Sequence, residues 1–219
     1  MLDFKPLFIY GACMSNQACT GVILAGGQNK RFAGRAKAFE QVGQSTIFEH
    51  IYGIFRELFD RILLVTNHPE KFMAWDVPMA ADLFDFRSSL TGLHTGLFYT
   101  TTPYAFFTAC DTPFLKKELI QSVLNAVEPN LDIVVPRTAL GFEPLCAAYS
   151  RLCLKPVQAQ LDKKELQIQR LFKSMRTHEI PETTLRNIDP DLISFFNVNT
   201  PEDLKRARQM AGETQAHET

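Results

Sequence analysis

The sequence lacks the features that mark membrane, secreted and zinc-binding proteins. No apolar run approaches the roughly 18 residues of a membrane span, so we expect no membrane association. The five cysteines are odd in number and form no C-x-x-C pair, which favours reduced thiols over a disulfide framework. The five histidines form no H-x-H or H-x-x-x-H pair, which argues against a zinc site. We therefore expect a cytoplasmic protein without zinc.

Two common phosphate-binding loops are also missing, and so is an excess of positive charge. The chain has no Gly-Lys-Ser/Thr triplet, which a P-loop requires, and no G-x-G-x-x-G, which marks dinucleotide-binding folds. The formal net charge of −1 argues against broad binding of nucleic acid. A basic cluster in this chain therefore indicates a local site.

The composition suits a single packed domain. Of the 219 residues, 46% are hydrophobic and 21% are charged, and no Ser/Gly-rich linker or repeat divides them. We place the domain at residues 20–211. Residues 1–19 are interpreted as an N-terminal extension that is disordered or, for residues 1–13, not translated. Residues 212–219 are interpreted as a polar tail.

Alternating apolar runs and amphipathic segments predict an α/β fold. The clearest helix covers residues 47–58, where apolar residues recur at helical spacing after a Thr46–Glu49 capping box. Further helices are predicted at residues 89–99, 115–127, 151–161 and 166–175, and after the N-cap Thr200. Strands are predicted at residues 21–25, 61–66, 77–81, 104–110, 131–135, 142–149 and 195–199. This alternation indicates a mostly parallel sheet with crossover connections.

The first strand leads into a loop that is rich in glycine and in cations. Gly26, Gly27 and Gly34 allow the backbone to approach a ligand closely. Arg31 and Lys37 accompany them, and exposed N–H groups beside such cations bind phosphate oxygens. The loop therefore predicts a nucleotide site.

Polar residues follow each of the other predicted strands as well. Ligands of open parallel sheets bind at the carboxyl ends of the strands. The residues at those ends, besides the basic loop, are Asn67, Asp82, Asp111, Asn197 and Asn199. Such carboxylates and amides suit a nucleotide with Mg²⁺, and Asp111 is the favoured metal ligand because it follows a strongly apolar strand.

Each of these polar residues also has a structural interpretation. Asp111 could cap the helix at 115–127, Asp82 could be a solvated acid in a loop, and Asn67 could complete a turn. Asn197 and Asn199 would point the same way along a strand, or one of them could cap the helix after Thr200.

Three motifs in order resemble the molybdenum cofactor guanylyltransferases. The first comprises Leu24-Ala25-Gly26-Gly27 with Arg31, Gly34 and Lys37. Cys110-Asp111-Thr112-Pro113 and Phe196-Asn197-Val198-Asn199-Thr200-Pro201-Glu202-Asp203-Leu204 follow it. The resemblance covers about residues 20–208 and implies the Rossmann-like three-layer α/β/α nucleotidyltransferase fold with a mostly parallel central sheet.

The resemblance implies transfer of GMP from GTP to the terminal phosphate of molybdopterin (Mo-molybdopterin), with release of pyrophosphate. Arg31, Lys37 and Asp111 would be catalytic, with Asp111 holding Mg²⁺. The GTP-binding residues would be Leu24, Ala25, Gly26, Gly27, Lys37, Asn67, Asp82 and Asp111. Asn197 and Asn199 would lie on the pterin side. A molybdenum-insertion protein or a chaperone of an apo-molybdoenzyme would be a partner.

The motifs also leave alternatives open. Ala25-Gly26-Gly27 favours guanine, since cytidine-transferring relatives tend to have Ala-Ala-Gly. Ser88 stands where the family often has a glycine, and Thr66 competes with Asn67 for the nucleoside contact. A cytidylyltransferase for the same pterin, a sugar-phosphate nucleotidyltransferase and a GTP-binding regulatory protein are the alternative functions.

Overall fold

A computed structural model of the chain describes residues 19–26 and 36–212. Its strands are β1 (Cys19–Leu24), β2 (Gln41–Val42), β3 (Ser45–Thr46), β4 (Ile62–Val65), β5 (Met79–Ala80), β6 (Tyr104–Ala109), β7 (Ile133–Thr138), β8 (Gly141–Phe142), β9 (Cys146–Ser150) and β10 (Thr177–Pro181). Its α-helices are α1 (Ile47–Leu58), α2 (Ser89–Tyr99), α3 (Lys117–Asn125), α4 (Leu154–Asp162), α5 (Glu182–Ile188) and α6 (Pro201–Met210). None of these helices is long and apolar enough to cross a membrane.

Eight of these strands form one mostly parallel sheet. The strand order is β5-β4-β1-β6-β9-β7-β10, with β8 paired to β7. Only β8 and β9 run against the others. Leu24 of β1 pairs with both Val65 of β4 and Ala109 of β6, so the carboxyl ends of the three central strands lie at one level. The predicted parallel sheet is confirmed.

The two faces of the sheet are covered by different helices, which gives three layers. Ile23 and Phe106 pack in one apolar core together with residues of α1 and α3. Their neighbours Val22 and Phe107 pack in a second core with residues of α2 and α4. Adjacent strand residues point to opposite faces, so both faces of these strands are buried. The predicted α/β/α fold is confirmed.

The predicted strand at residues 195–199 is wrong. The chain forms a 3-10 turn at Ile193–Phe195 and then an extended loop. Val198 is buried, and its N–H donates to the carbonyl oxygen of Asp111. The alternation of apolar residues and asparagines therefore reflects a loop that packs against the end of β6, and not a strand of the sheet.

Two further predictions in the second half need correction. The predicted strand at 142–149 is divided into β8 and β9, with Pro144 between them, a residue that cannot donate a hydrogen bond to a neighbouring strand. The predicted helix at 166–175 is a 3-10 helix at Ile168–Lys173. The short hairpin β2–β3, strand β10 and helix α5 were not predicted.

Several predictions concern residues outside the described part of the chain. These are Gly27, Arg31 and Gly34 of the basic loop, the N-terminal extension up to residue 18, and the tail from residue 213. Strand β1 begins at Cys19, two residues before its predicted start.

Candidate active site

A cleft of about 320 Å³ opens at the carboxyl ends of the central strands. Two backbone hydrogen bonds hold these ends together: Ala25 N–H donates to Val65 O (2.8 Å), and Cys110 N–H donates to Leu24 O (3.0 Å). The cleft is lined by Leu24, Ala25, Gly26, Ala36, Lys37, Ala38, Val65, His68, Lys71, Phe72, Asp82, Arg87, Ser88, Ser89, Gly92, Ala109, Cys110, Asp111 and Leu145. The strand order therefore brings Gly26 and both predicted carboxylates, Asp82 and Asp111, to one place.

Lys37 joins two predicted site residues that are distant in sequence. Its Nζ lies 3.4 Å from Asp111 Oδ2 and 3.1 Å from Asn199 Oδ1. Asp111 follows β6, and Asn199 precedes the N-cap of α6, where its N–H donates to Asp203 Oδ2 (3.0 Å). A cation thus lies between two side-chain oxygens, an arrangement suited to holding negatively charged phosphates.

The carboxyl group of Asp111 has an incomplete set of partners. Its side chain is 21% exposed, yet its Oδ1 is buried and accepts no hydrogen bond from the described residues. Burial raises the pKa of Asp111, and the nearby Lys37 ammonium only partly opposes this. The predicted alternative of a helix cap does not apply, since Lys116 is the N-cap of α3. Asp111 therefore offers an oxygen to a ligand or a cation.

The oxygen donors at this position suit Mg²⁺. Mg²⁺ is commonly held by one or two carboxylates together with substrate phosphates. Asp111 supplies such a carboxylate, and Lys37 already places a positive charge beside it. The described residues contain no group of three or more His, Cys, Asp or Glu side chains that could hold a metal ion. An ion at Asp111 would thus share its coordination with a substrate.

Asp82 and Asn67 form a reciprocal pair beside the first loop. Asn67 Nδ2 donates to Asp82 Oδ2, and Asp82 N–H donates to Asn67 Oδ1, both at 2.9 Å. A methyl group on Gly26 would lie 3.6 Å from Asp82 Oδ2. Burial raises the pKa of Asp82, which Asn67 and Arg87 oppose. Asp82 is therefore neither isolated nor fully solvated, and it faces the Gly26 end of the cleft.

Asn67 and Thr66, the two candidates for the nucleoside contact, have different hydrogen bonds. Thr66 is buried, and its hydroxyl donates to Ala25 O (3.3 Å) and accepts from His68 N–H (3.2 Å). Its side chain therefore fastens the ends of β1 and β4 to each other. Of the two residues, Asn67 is the one bonded to Asp82.

Asn197 and Asn199 have different contacts. Asn199 reaches Lys37, whereas Asn197 is exposed and its side chain donates to Phe195 O, two residues back (3.0 Å). The strand on which their common direction was predicted does not exist. The structure therefore brings Asn199, and not Asn197, to the Lys37–Asp111 pair.

The sequence analysis missed cations on the opposite wall of the cleft. Lys71 and Arg87 both line it, together with Ser88 and Ser89 at the start of α2. The N-terminal end of a helix carries a partial positive charge. The signal was present, because Arg87-Ser88-Ser89 stands at the start of the predicted helix 89–99. This wall adds positive charge to the side facing Asp82.

His94 and the four cysteines of the described ranges are buried. Burial raises the pKa of the Cys110 thiol, which disfavours the reactive thiolate. Cys19, Cys146 and Cys153 are likewise buried and free. His94 is buried on α2, where burial lowers the pKa of its imidazole.

Comparison with known proteins identifies the protein family to which the chain is similar. Residues 21–180 match the family model described as the MobA-like NTP transferase domain. The molybdenum cofactor guanylyltransferase of Desulfosudis oleivorans is 42% identical over 190 residues, which covers 87% of this chain and 94% of that protein. A probable molybdenum cofactor guanylyltransferase of Natranaerobius thermophilus is 33% identical, with 90% of this chain and 98% of that protein covered.

Solved structures share the fold. The crystal structure of molybdopterin-guanine dinucleotide biosynthesis protein A from Archaeoglobus fulgidus superposes with a TM-score of 0.78 at 24% identity, covering 89% of this chain and 100% of that one. A Mycobacterium tuberculosis protein in complex with manganese superposes with a TM-score of 0.61 at 19% identity, covering 88% and 98%.

Proposed function

Since this chain belongs to the family of MobA-like NTP transferases, we propose that it transfers GMP from GTP to the terminal phosphate of molybdopterin, in the synthesis of the guanine dinucleotide cofactor. Its 42% identity to a molybdenum cofactor guanylyltransferase extends over nearly the whole of that relative. The observation that carries the proposal is the Asp111–Lys37–Asn199 group at the meeting point of the central strands.

The guanosine half of GTP is assigned to the cleft beside β1, β4 and β5. Leu24, Ala25, Gly26 and Gly27 would pass along the nucleoside, with Asn67 and Asp82 facing it. Support comes from the short distance between Gly26 and Asp82 and from the buried, unbonded Oδ1 of Asp82. Ala25-Gly26-Gly27 favours guanine over cytosine.

The triphosphate half is assigned to Lys37 and Arg31. A terminal oxygen of the pterin phosphate attacks the α-phosphorus, and the bond from that phosphorus to the bridging oxygen of pyrophosphate breaks. The two cations stabilise the charge on the departing pyrophosphate. The protein contributes chiefly by positioning the two phosphates and by preorganised charge.

We assign Mg²⁺ to Asp111 because its side chain is partly exposed and its Oδ1 accepts no hydrogen bond from the described residues, which suits a hard cation. When bound there, the ion would neutralise charge on the phosphate oxygens. The manganese complex of the Mycobacterium tuberculosis protein supports a divalent metal in this fold.

The pterin side is assigned to the loop that carries Asn197 and Asn199. Asn199 touches Lys37, so a phosphate held by Lys37 would lie next to this loop. A molybdenum-insertion protein or a chaperone of an apo-molybdoenzyme is the proposed partner, and the cytoplasm the proposed location.

Pyrophosphate release tests the function directly. With Mg²⁺ and Mo-molybdopterin, we expect release from GTP and not from CTP, ATP or UTP. Asp111→Ala should lower turnover by a factor of about 10² or more, since preorganised charge contributes on this scale.

The other outcomes distinguish the alternatives. Release from CTP would indicate a cytidylyltransferase, and release only with a sugar phosphate as acceptor would indicate a sugar nucleotidyltransferase. GTP binding without release with any acceptor would indicate a regulatory protein. A fully active Asp111→Ala variant would contradict the metal assignment.

A further inference from the structure

An irregular segment separates β8 from β9, next to the active site. The two strands lie along β7, where Phe142 pairs with Arg137 and Ala148 pairs with Val134. Residues 143–147 thus stand opposite only residues 135–136 of β7. We call Glu143, Pro144 and Leu145 the β8–β9 bulge. Bulges bend a strand and re-aim its side chains, and they are frequent beside active sites.

The β8–β9 bulge lies beside the end of β6. On that side, Cys146 pairs with Thr108, three residues before Asp111. Leu145 itself lines the cleft that Asp111 lines. Through Leu145 the bulge therefore reaches the cleft at β9, which β4, β1 and β6 separate from the β5 end where Asp82 lies.

The backbone of Glu143 is held firmly. Its N–H donates to Pro136 O (3.0 Å), and its carbonyl oxygen accepts from Cys146 N–H (3.0 Å). Both bonds join the bulge to neighbouring strand positions, so the side chain starts from a fixed point at the carboxyl edge of the sheet.

The carboxyl group of Glu143 is half-buried without a counter-ion. No ion pair involves Glu143 in the described part of the chain, and burial raises its pKa to about 7, opposed only by a hydrogen bond from Thr138. Burying a carboxylate without a cation is unfavourable. A carboxyl group kept at such a position is suited to receiving donors from a ligand.

The strand order places Glu143 on the half of the carboxyl edge opposite the residues assigned to the nucleoside. Along the carboxyl edge, Asp82 follows β5, Gly26 follows β1, Asp111 follows β6, and Glu143 lies between β8 and β9. Asp111, where the phosphates of the two substrates meet in the proposed reaction, stands between Asp82 and Glu143.

We propose that Glu143 recognises the ring system of the second substrate by accepting hydrogen bonds from its N–H groups. This inference rests on the proposed function. The pterin ring carries an amino group next to a ring N–H, and the two oxygens of one carboxylate can accept from both. Glu143 thus selects for the acceptor substrate and takes no part in binding GTP.

Steady-state kinetics of two variants and one control test the inference. Glu143→Gln keeps the size of the side chain but replaces one acceptor oxygen with a donor. We expect it to raise the KM for Mo-molybdopterin by about tenfold or more, as for the loss of a charged hydrogen bond, and to leave the KM for GTP within about twofold. Glu143→Asp, which keeps a carboxylate on a shorter side chain, should show a smaller rise. Glu118→Gln, an exposed change on α3, should behave as the unchanged protein.

The outcomes separate this inference from the function on which it rests. If the protein without substitutions is active and Glu143→Gln has the same KM for Mo-molybdopterin, the role of Glu143 is overturned. A parallel rise in both KM values overturns it as well. If Glu143→Gln does not fold, an unaltered pterin KM in Glu143→Asp overturns it. Absence of any transfer by the unchanged protein would instead overturn the proposed function.

Discussion

Asp111 lies at the centre of the site, and the burial of its carboxyl group lowers the stability of the protein. Its Oδ1 is buried without a hydrogen-bond donor from the described residues, and burial raises the pKa of the group in spite of Lys37. The folded protein therefore favours the protonated form more than the unfolded chain does. Such a loss of stability is common where a side chain is positioned to bind a ligand and not to pack in the core.

Replacement of Asp111 by asparagine should therefore stabilise the free protein while removing activity. A carboxyl group whose pKa is raised by folding loses stability as the pH rises above its unfolded pKa, and asparagine has no charge to lose. We expect the Tm of Asp111→Asn to exceed that of the unchanged protein at neutral pH, with the difference vanishing at low pH. Thermal unfolding across a pH series measures this.

Asp60→Asn, an exposed change just after α1, is the control and should leave the pH dependence of the Tm unaltered. A lower Tm for Asp111→Asn at neutral pH would mean that the pair with Lys37 outweighs the cost of burial.

At the scale of an element, Ser88, where the resemblance predicts a glycine, has a role in helix α2. Ser88 has φ −155°, an extended conformation that any residue adopts. Its hydroxyl accepts from Thr91 N–H (3.1 Å), and its own N–H donates to Thr91 Oγ1 (3.0 Å). This capping box satisfies backbone groups at the start of α2 while Ser88 lines the cleft. The Ser88 side chain therefore stabilises the start of α2.

Two substitutions at Ser88 test how much its hydroxyl contributes to stability as the N-cap of α2. Ser88→Ala should lower the free energy of unfolding by about 1 kcal/mol, because the cap is lost, whereas Ser88→Gly should cost only a few tenths of that. Denaturant unfolding of both variants measures the difference. A negligible loss in both variants would show that the hydroxyl contributes little to α2.

At the scale of the whole molecule, the packing of α1 on the sheet depends on a glycine in β1. A Cβ atom on Gly21 would lie 2.6 Å from Phe55 Cδ1 and 2.7 Å from Phe59 Cδ2. Phe55 and Phe59 are buried and pack against Phe106 of the neighbouring strand. The absence of a side chain at Gly21 thus allows these rings to fill the layer between α1 and the centre of the sheet.

Gly21→Ala should therefore destabilise the fold by about 1–3 kcal/mol through overpacking. Gly53→Ala is the matched control, because that position is exposed in α1 and an added Cβ would meet no described atom within 4 Å beyond its chain neighbours and the backbone of its own helix. It should stabilise the protein by up to about 1 kcal/mol through helix propensity. Chemical denaturation of the two variants gives both values, and a neutral Gly21→Ala would show that the rings can move aside.

Elements whose signals are local could be predicted from the sequence. Helix α1 has its predicted bounds and capping box, and α2 has its predicted bounds, because helical periodicity and end caps involve residues within four positions of each other. The family resemblance, which rests on short contiguous motifs, is confirmed by the match over residues 21–180. The mostly parallel sheet followed from the alternation of strands and helices.

Which of the predicted site residues meet depends on contacts between distant parts of the chain. Lys37 contacts Asp111 across 74 positions of sequence and Asn199 across 162, and no local signal carries such distances. The reversed direction of β9 and the loop form of residues 196–199 were likewise decided by packing beside β6. An apolar run can be buried equally well by a strand, a 3-10 turn or a docked loop, so its hydrophobicity cannot choose among them.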